Sequence, residues 1–367
     1  MLLLLLIILG LVSAIAAILY FRQQHTITKD TITTERPHST PLLTTFNSSR
    51  TYDLKRHWKG EDMIPQNNKG WAYFRSPTWI AYPPQDTATW SNSEPTSSMV
   101  NYTDGQLGGN FEGSDEDELV IKVLASDSGI NAVRLHSVEQ FEQGLFVMKV
   151  SQIPHGTYVW PSWWLLGDTS RPNAWAMNGE IDIIEGGWFE GGPSKNVKNT
   201  STLHTQTDCV KSGKRCNATG SGSCGEGGKH ACPYDGCGFE FSSEKSFGSG
   251  FPGGYFCLEM KQNGVLRIWM FHEGKEPSNL SDDSVDTTSW PTSNASDGSV
   301  EYVDLSSSPC PSTFASMHMI INTAVGGAAF VDAPGRQKKP TFKEAVASIQ
   351  QHSSESEWRI SWIKVFQ

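Results

Sequence analysis

The chain is short of charge. Asp, Glu, Lys and Arg make up only 19% of its 367 residues, and the balance is acidic, with a formal net charge of -10. A nucleic-acid-binding surface needs a basic footprint, and no Lys/Arg cluster large enough to supply one occurs, so a nucleic-acid partner is excluded. Long stretches of helical periodicity are also scarce, the segment Thr341 to Gln351 being one short candidate, and no internal repeat is evident. Cysteine is absent before Cys209, and no Cys-x-x-Cys pair occurs anywhere. With His230 the one histidine between Cys209 and Cys257, a zinc site is not expected. No nucleotide, flavin or haem motif is present, so no cofactor and no metal are expected.

What the chain does have is aromatic side chains and glycine. Aromatics reach 11%, with 13 Trp, and there are 34 Gly. Few charges, many aromatics and many glycines favour an all-β protein with long loops over a helical bundle. Many Trp on an acidic chain also suit a neutral polymer such as a polysaccharide, while about half of them are expected in the core.

The first residues carry a targeting signal. Leu2 to Phe21 contain no charged side chain, which is long enough to cross a bilayer as a helix. The small residues Ser13, Ala14 and Ala16 also suit cleavage of a signal peptide, although the apolar stretch is long for one and lacks a basic start. Cleaved signal and retained membrane anchor (residues 2–21) read equally well, and both deliver the rest of the chain to the lumen or the cell exterior. Six Asn-x-Ser/Thr triplets, at Asn47, Asn101, Asn199, Asn217, Asn279 and Asn294, fit that destination as glycosylation sites. So do the seven cysteines between Cys209 and Cys310, which read as up to three disulfides with one thiol left over.

Residues 22–49 are rich in Ser and Thr and nearly free of aromatics, the composition of a linker that cannot bury a core. The folded domain is therefore expected over residues 50–367. Within it, short runs bounded by turn residues recur: Glu118–Leu124, Asn131–His136, Gly144–Val150, Gly264–Phe271, Met317–Asn322 and Glu357–Phe366. Several alternate apolar and polar residues, the signature of half-buried antiparallel strands. Many strands and few helices imply a β-sandwich or jelly roll.

The chemistry concentrates in Asn178-Gly-Glu-Ile-Asp-Ile-Ile-Glu-Gly186. In a strand, Glu180 and Asp182 share one face while Ile181 and Ile183 point the other way. A regular strand would put Glu185 on the wrong face, since five is an odd spacing. One extra residue at Ile183 or Ile184, a β-bulge, restores the phase. Three carboxyls then project into one groove, which is costly unless the groove uses them. Retaining glycoside hydrolysis uses two, about 5–5.5 Å apart: one attacks the anomeric carbon while the other protonates the leaving oxygen and then activates water. Adjacent same-face strand positions suit that spacing. Crowded negative charge also raises the pKa of one member of the set, which keeps an acid protonated near neutral pH. The bland reading, three solvated surface acids, fits poorly beside Trp160, Trp163, Trp164, Trp175 and Trp188.

Glu180-Ile-Asp-Ile-Ile-Glu185 resembles the E-x-D-x-x-E signature of glycoside hydrolase family 16 in its bulge-containing laminarinase branch. Other segments agree in order: Thr51-Tyr-Asp-Leu54 with Trp58 and Gly60, Asn131-Ala-Val-Arg-Leu135, Gly156 to Trp164 with its Trp-Pro-x-x-Trp, Leu203-His-Thr205 followed by Cys209, and Glu357 to Gln367. The likeness covers about residues 51–367. It implies a curved antiparallel β-sandwich, a concanavalin A-like jelly roll, with a glucan cleft on its concave face. It implies Glu180 as nucleophile, Glu185 as acid/base and Asp182 as the assisting carboxylate. By the same resemblance Trp163 would stack on a sugar ring, Arg134 would donate to sugar hydroxyls, and His204 would approach the groove beside the acids, with Trp175 and Trp188 as further substrate contacts. Fungal members often carry Cys-Gly-Asp-Trp where this chain reads Asn322 to Ala329, so a stacking Trp and one Cys are absent there.

The resemblance thus implies an endo-acting β-1,3(4)-glucanase of the laminarinase type, working as a monomer on a polysaccharide. Two alternatives remain open at this point. A transglycosylase would use the same acids with a sugar hydroxyl in place of water. A glucan-binding lectin on the same fold would usually lack the acids, so Glu180 and Glu185 count against it.

Overall fold

A computed structural model of the chain describes residues 50–63, 71–75, 111–115, 118–127, 129–156, 159–167, 179–186, 199–204, 237–241, 248–305, 314, 316–325 and 342–367. The targeting segment 1–21, the linker 22–49, Trp175, Trp188 and five of the seven cysteines (all but Cys237 and Cys257) lie outside the described residues. Eighteen strands and one α-helix are described. In chain order the strands are β1 Thr51–Lys59, β2 Trp71–Arg75, β3 Phe111–Asp115, β4 Glu118–Lys122, β5 Leu124–Ser126, β6 Gly129–Asn131, β7 Val133–Phe141, β8 Gly144–Gln152, β9 Val159–Leu166, β10 Glu180–Glu185, β11 Thr200–His204, β12 Cys237–Glu240, β13 Gly254–Met260, β14 Leu266–His272, β15 Ser284–Asp286, β16 Val300–Asp304, β17 Met317–Val325 and β18 Glu357–Phe366. The helix, α1, is Phe342–Gln351, where the sequence placed its one short candidate.

The strands form two large antiparallel sheets. A seven-stranded sheet runs β12-β11-β10-β9-β17-β7-β2, and a nine-stranded sheet runs β15-β1-β18-β8-β13-β14-β16, with β4 on β18 and β3 on β4. The fold is an all-β, strongly curled antiparallel sandwich of the jelly-roll kind, as expected. One face of each sheet builds the main core. The seven-stranded sheet supplies Trp163, Leu165, Ile181, Ile183, Ile184, Met319 and Ile321; the nine-stranded sheet supplies Phe146, Met148, Phe256, Leu258, Ile268, Met270 and Ile363. Because a strand alternates its faces, burying these residues turns the intervening ones of β9, β10, β11, β17 and β7 to the opposite, solvent side of the seven-stranded sheet.

The nine-stranded sheet is covered on its second face too. Tyr52, Leu145, Val147, Tyr255, Cys257, Trp269 and Phe271 pack with Leu280, Val285 and Trp290 into a second apolar cluster. That is why β13 is buried at every residue and shows no polar alternation. Its buried Glu259 is matched by donors: the Tyr52 hydroxyl at 2.7 Å, Arg267 at 2.7 Å and Thr287 at 3.1 Å. Cys257 sits in this cluster as a free, buried thiol whose pKa is raised by burial. It forms no disulfide among the described residues.

Candidate active site

Strand β10 is made by its isoleucines, β-branched residues that suit a strand, and it starts from Gly179, whose φ of 82° is open to glycine and strained for most other residues. Ile181, Ile183 and Ile184 are all buried against the core. The register explains how two neighbouring isoleucines manage this. On the β9 side Asp182 pairs with Trp164 and Ile184 with Trp163, and on the β11 side Asp182 pairs with Thr202 and Glu185 with Thr200. Ile183 is thus an extra residue, the bulge the sequence required. It returns Glu185 to the face of Glu180 and Asp182, away from the core.

Neighbouring strands fill out that face. Residues paired across a sheet share a side, so Glu180 stands between Leu166 and His204, Asp182 between Trp164 and Thr202, and Glu185 between Ser162 and Thr200. Glu185 is held by three donors: the Thr202 hydroxyl at 2.9 Å and the Thr200 hydroxyl at 3.4 Å on Oε1, and the Trp160 indole N–H at 3.2 Å on Oε2. Both oxygens of this carboxyl are therefore fixed in direction. His204 lies with Nε2 3.3 Å from Asp182 Oδ2 and 3.8 Å from Glu180 Oε1.

Burial and crowding set the protonation of this cluster. Asp182 is 4% exposed, and its pKa is raised well above the carboxylate range by desolvation and then by the charges of Glu185 and Glu180. Burial alone would push His204 down, but its hydrogen bond to Asp182 and the charges of Glu180, Asp182 and Glu185 outweigh that and push it up to about 10. Glu180, Asp182 and His204 each place one donor atom within 4.8 Å of the others, a set that would suit a cation only with the imidazole deprotonated. At neutral pH the imidazolium itself supplies the positive charge.

The face continues away from the acids. The Arg134 guanidinium lies 4.8 Å from the Trp164 ring centre, and the Trp164 indole N–H donates to Asn322 Oδ1 at 2.7 Å. His136, on the same side of β7 as Arg134, is pushed down to about 2 by burial and then by the charges of Arg134 and His318, so it is a neutral imidazole. The floor thus passes from carboxyls on β10, over indoles on β9, to a cation and neutral polar groups on β17 and β7.

Of the residues expected from sequence, Glu180, Asp182, Glu185 and His204 come together, and Arg134 lies across β9 and β17 from them. Trp163 requires a correction. It is 0% exposed, its ring belongs to the main core, and its indole N–H finds no acceptor among the described residues. It cannot lay a face on a sugar. Strand alternation gives that position to Trp164 and, beyond Ser162 on the same face, to Trp160, both half-buried. Thr200, Thr202 and Asn322 were also missed. The two threonines carried a signal, since they stand two and four residues before His204 and so share its face.

The family model described as the XgeA-like catalytic GH16 domain matches residues 88–366. A protein of Schizosaccharomyces pombe named probable glycosidase is 32% identical over 181 residues, 46% of this chain and 40% of its own length. A protein of Aspergillus niger named probable endo-1,3(4)-beta-glucanase is 26% identical over 336 residues, 87% of this chain and 40% of its own length. The chain thus spans about 40% of the length of these curated relatives. Among solved structures, a mutant laminarinase 16A that cyclises laminariheptaose aligns with a TM-score of 0.62 at 22% identity, covering 86% of this chain and 100% of that one. This structural likeness is one of fold.

Proposed function

The chain belongs to the GH16 glycoside hydrolases as an XgeA-like catalytic domain, and from that premise we propose that it is an endo-acting, retaining hydrolase of β-1,3 and mixed β-1,3/1,4 glucan. The observation that carries the reading is the Ile183 bulge, which sets Glu180, Asp182 and Glu185 side by side on one groove face. Glu180 attacks the anomeric carbon. Glu185, aimed by Thr200, Thr202 and Trp160, gives its proton to the leaving glycosidic oxygen. Once the leaving sugar has gone, the Glu185 carboxylate takes a proton from water, and that water releases the glycosyl group from Glu180. His204 holds positive charge beside the nucleophile, which favours its ionised form, and Asp182 sits against the other side of that imidazole. Trp164, steadied by Asn322 and Arg134, offers an aromatic surface to a sugar ring.

A second reading keeps the chemistry and changes the acceptor. Ala324 pairs with Trp160 on the groove face, within the segment where related fungal sequences often carry a Trp. A small side chain there leaves the leaving side less crowded, which suits a sugar acceptor in place of water. The targeting segment supports delivery to the cell surface or exterior, with glycosylated asparagines and disulfides among the remaining six cysteines.

Incubation of the chain with laminarin, lichenan and a labelled oligosaccharide acceptor separates these readings. The expected result is release of reducing ends whose first anomer is β. An elongated acceptor as the main product would transfer the assignment to transglycosylation. Glucan binding without either product would end the catalytic reading. Within the hydrolase reading, Thr202→Val is expected to lower kcat about tenfold with little change in KM, because one donor aiming Glu185 is lost while the shape is kept. Steady-state kinetics on laminarin measures it; a raised KM with unchanged kcat would place Thr202 in substrate binding instead.

A further inference from the structure

Three of the six Asn-x-Ser/Thr asparagines fall among the described residues, and their surroundings differ. Asn199 directly precedes β11 and is 0% exposed; Ser201 of the same triplet is also buried, its hydroxyl donating to the Ile183 carbonyl at 2.6 Å. An oligosaccharide on Asn199 would have to pass through the packed wall beneath the acids. Asn279 spends both ends of its amide inside the protein: Nδ2 donates to the Asp286 carbonyl at 2.8 Å, and Oδ1 accepts from the Trp290 indole at 3.1 Å.

Asn294 and Ser296 are both exposed. Asn294 Oδ1 accepts from the Tyr302 backbone N–H at 2.8 Å. Tyr302 lies on β16, the last strand of the nine-stranded sheet, which pairs with β14 alone among the described residues. Anchoring the carbonyl end on the strand turns the other end of the amide, Nδ2, away from it. Nδ2 is the atom to which an N-linked sugar is joined.

We propose that Asn294 carries an N-linked oligosaccharide and that Asn199 stays bare. This rests on the reading that the chain enters the secretory pathway. In the transfer, Asn294 Nδ2 bonds to the anomeric carbon of a lipid-diphosphate-linked oligosaccharide. The bond from that carbon to the phosphate oxygen breaks, the lipid diphosphate leaves with the electron pair, and the amide gives up one proton. The glycan then stands over a sheet edge. An edge strand presents unpaired backbone groups that template pairing with another chain, and proteins guard such edges with charge, bulges or cover. The Asn294 side chain already caps one of those groups, and a bulky hydrophilic chain at the same point shields the rest.

The test expresses the full chain in a eukaryotic host that performs N-glycosylation. Sugars are then removed enzymatically in heavy-oxygen water and the peptides are mapped by mass spectrometry. Heavy aspartate is expected at position 294 and ordinary asparagine at 199. An unlabelled Asn294 overturns the proposal: with other triplets labelled, the site assignment has failed, and with none labelled, the secretory reading has failed with it. A labelled Asn199 in protein that still cleaves glucan overturns the second half. Ser296→Ala removes the acceptor signal while keeping the Asn294 bond to Tyr302. It is expected to lose one glycan and to self-associate as concentration rises, seen by light scattering, with kcat unchanged. A glycan-free Ser296→Ala protein that stays monodisperse overturns the role given to the sugar.

Discussion

On the proposed mechanism Glu180→Ala is expected to lower glucan cleavage by about a thousandfold or more, roughly 4 kcal/mol of transition-state stabilisation, because the group that forms the covalent intermediate is removed. The fold should be unaffected. Glu180 stands on the groove side of β10, largely buried, while the core is held by Ile181, Ile183 and Ile184 on the other side. Removing one of three crowded carboxylates also relieves repulsion on Asp182, whose pKa is raised by burial and by Glu185 and Glu180. A loss of activity with an unchanged unfolding temperature therefore reports on chemistry. Glu185→Ala should behave differently. It removes the proton donor, so an aryl glycoside whose leaving group needs no proton should recover much of the rate with Glu185→Ala and none with Glu180→Ala. Added azide separates the two further. In Glu180→Ala it fills the place of the missing nucleophile and gives an α-glycosyl azide; in Glu185→Ala it attacks the glycosyl-enzyme and gives a β-glycosyl azide. Equal losses on both substrates, or retention of more than a tenth of the activity by Glu180→Ala, would show that the roles are assigned wrongly.

The bulge was legible because arithmetic demanded it: five residues separate Glu180 from Glu185, and only an inserted residue puts both on one face. The choice among the tryptophans was not legible in the same way. Val159 to Leu166 contains Trp160, Trp163 and Trp164, and the spacing says only that Trp160 and Trp164 share a face opposite Trp163. Which face meets the acids depends on pairing Trp164 with Asp182 across a bulged partner, a tertiary fact. Strand β13 escaped notice for another reason. Sequence reading looks for alternation, and Gly254–Met260 has none because the second apolar cluster covers its outer face. The Cys257 thiol shares that setting, packed inside the same apolar cluster.

The stability of the protein should fall as the pH rises from about 6.5 to 10, and Asp182→Asn should flatten that fall. His204 is raised in the folded chain from the ordinary 6.5 to about 10. A group raised on folding stabilises fully below its unfolded pKa and loses that contribution as the pH climbs through its folded value. For His204 the window is therefore 6.5 to about 10, and the contribution at stake is on the order of 5 kcal/mol. Asp182 is raised as well, by burial first and then by Glu185 and Glu180, so its ionisation acts with the same sign. Replacing Asp182 by asparagine removes the hydrogen-bonded carboxylate that does most to raise His204. The imidazole then gives up its proton at lower pH, and less stability remains to be lost on the alkaline side. The acid side should change as well, because the stability that Asp182 contributes at low pH is lost as the pH climbs above 3.8 and the asparagine has no such proton. That side also depends in part on His136, lowered to about 2 by burial, Arg134 and His318, which contributes stability above 6.5 and loses it as the pH falls. Unfolding temperatures of wild type and Asp182→Asn across pH 5 to 10, read with kcat at each pH, check this. The expected pattern is converging stability at high pH together with a lower kcat throughout. Parallel stability curves would mean that the His204–Asp182 pair holds no proton that folding put there.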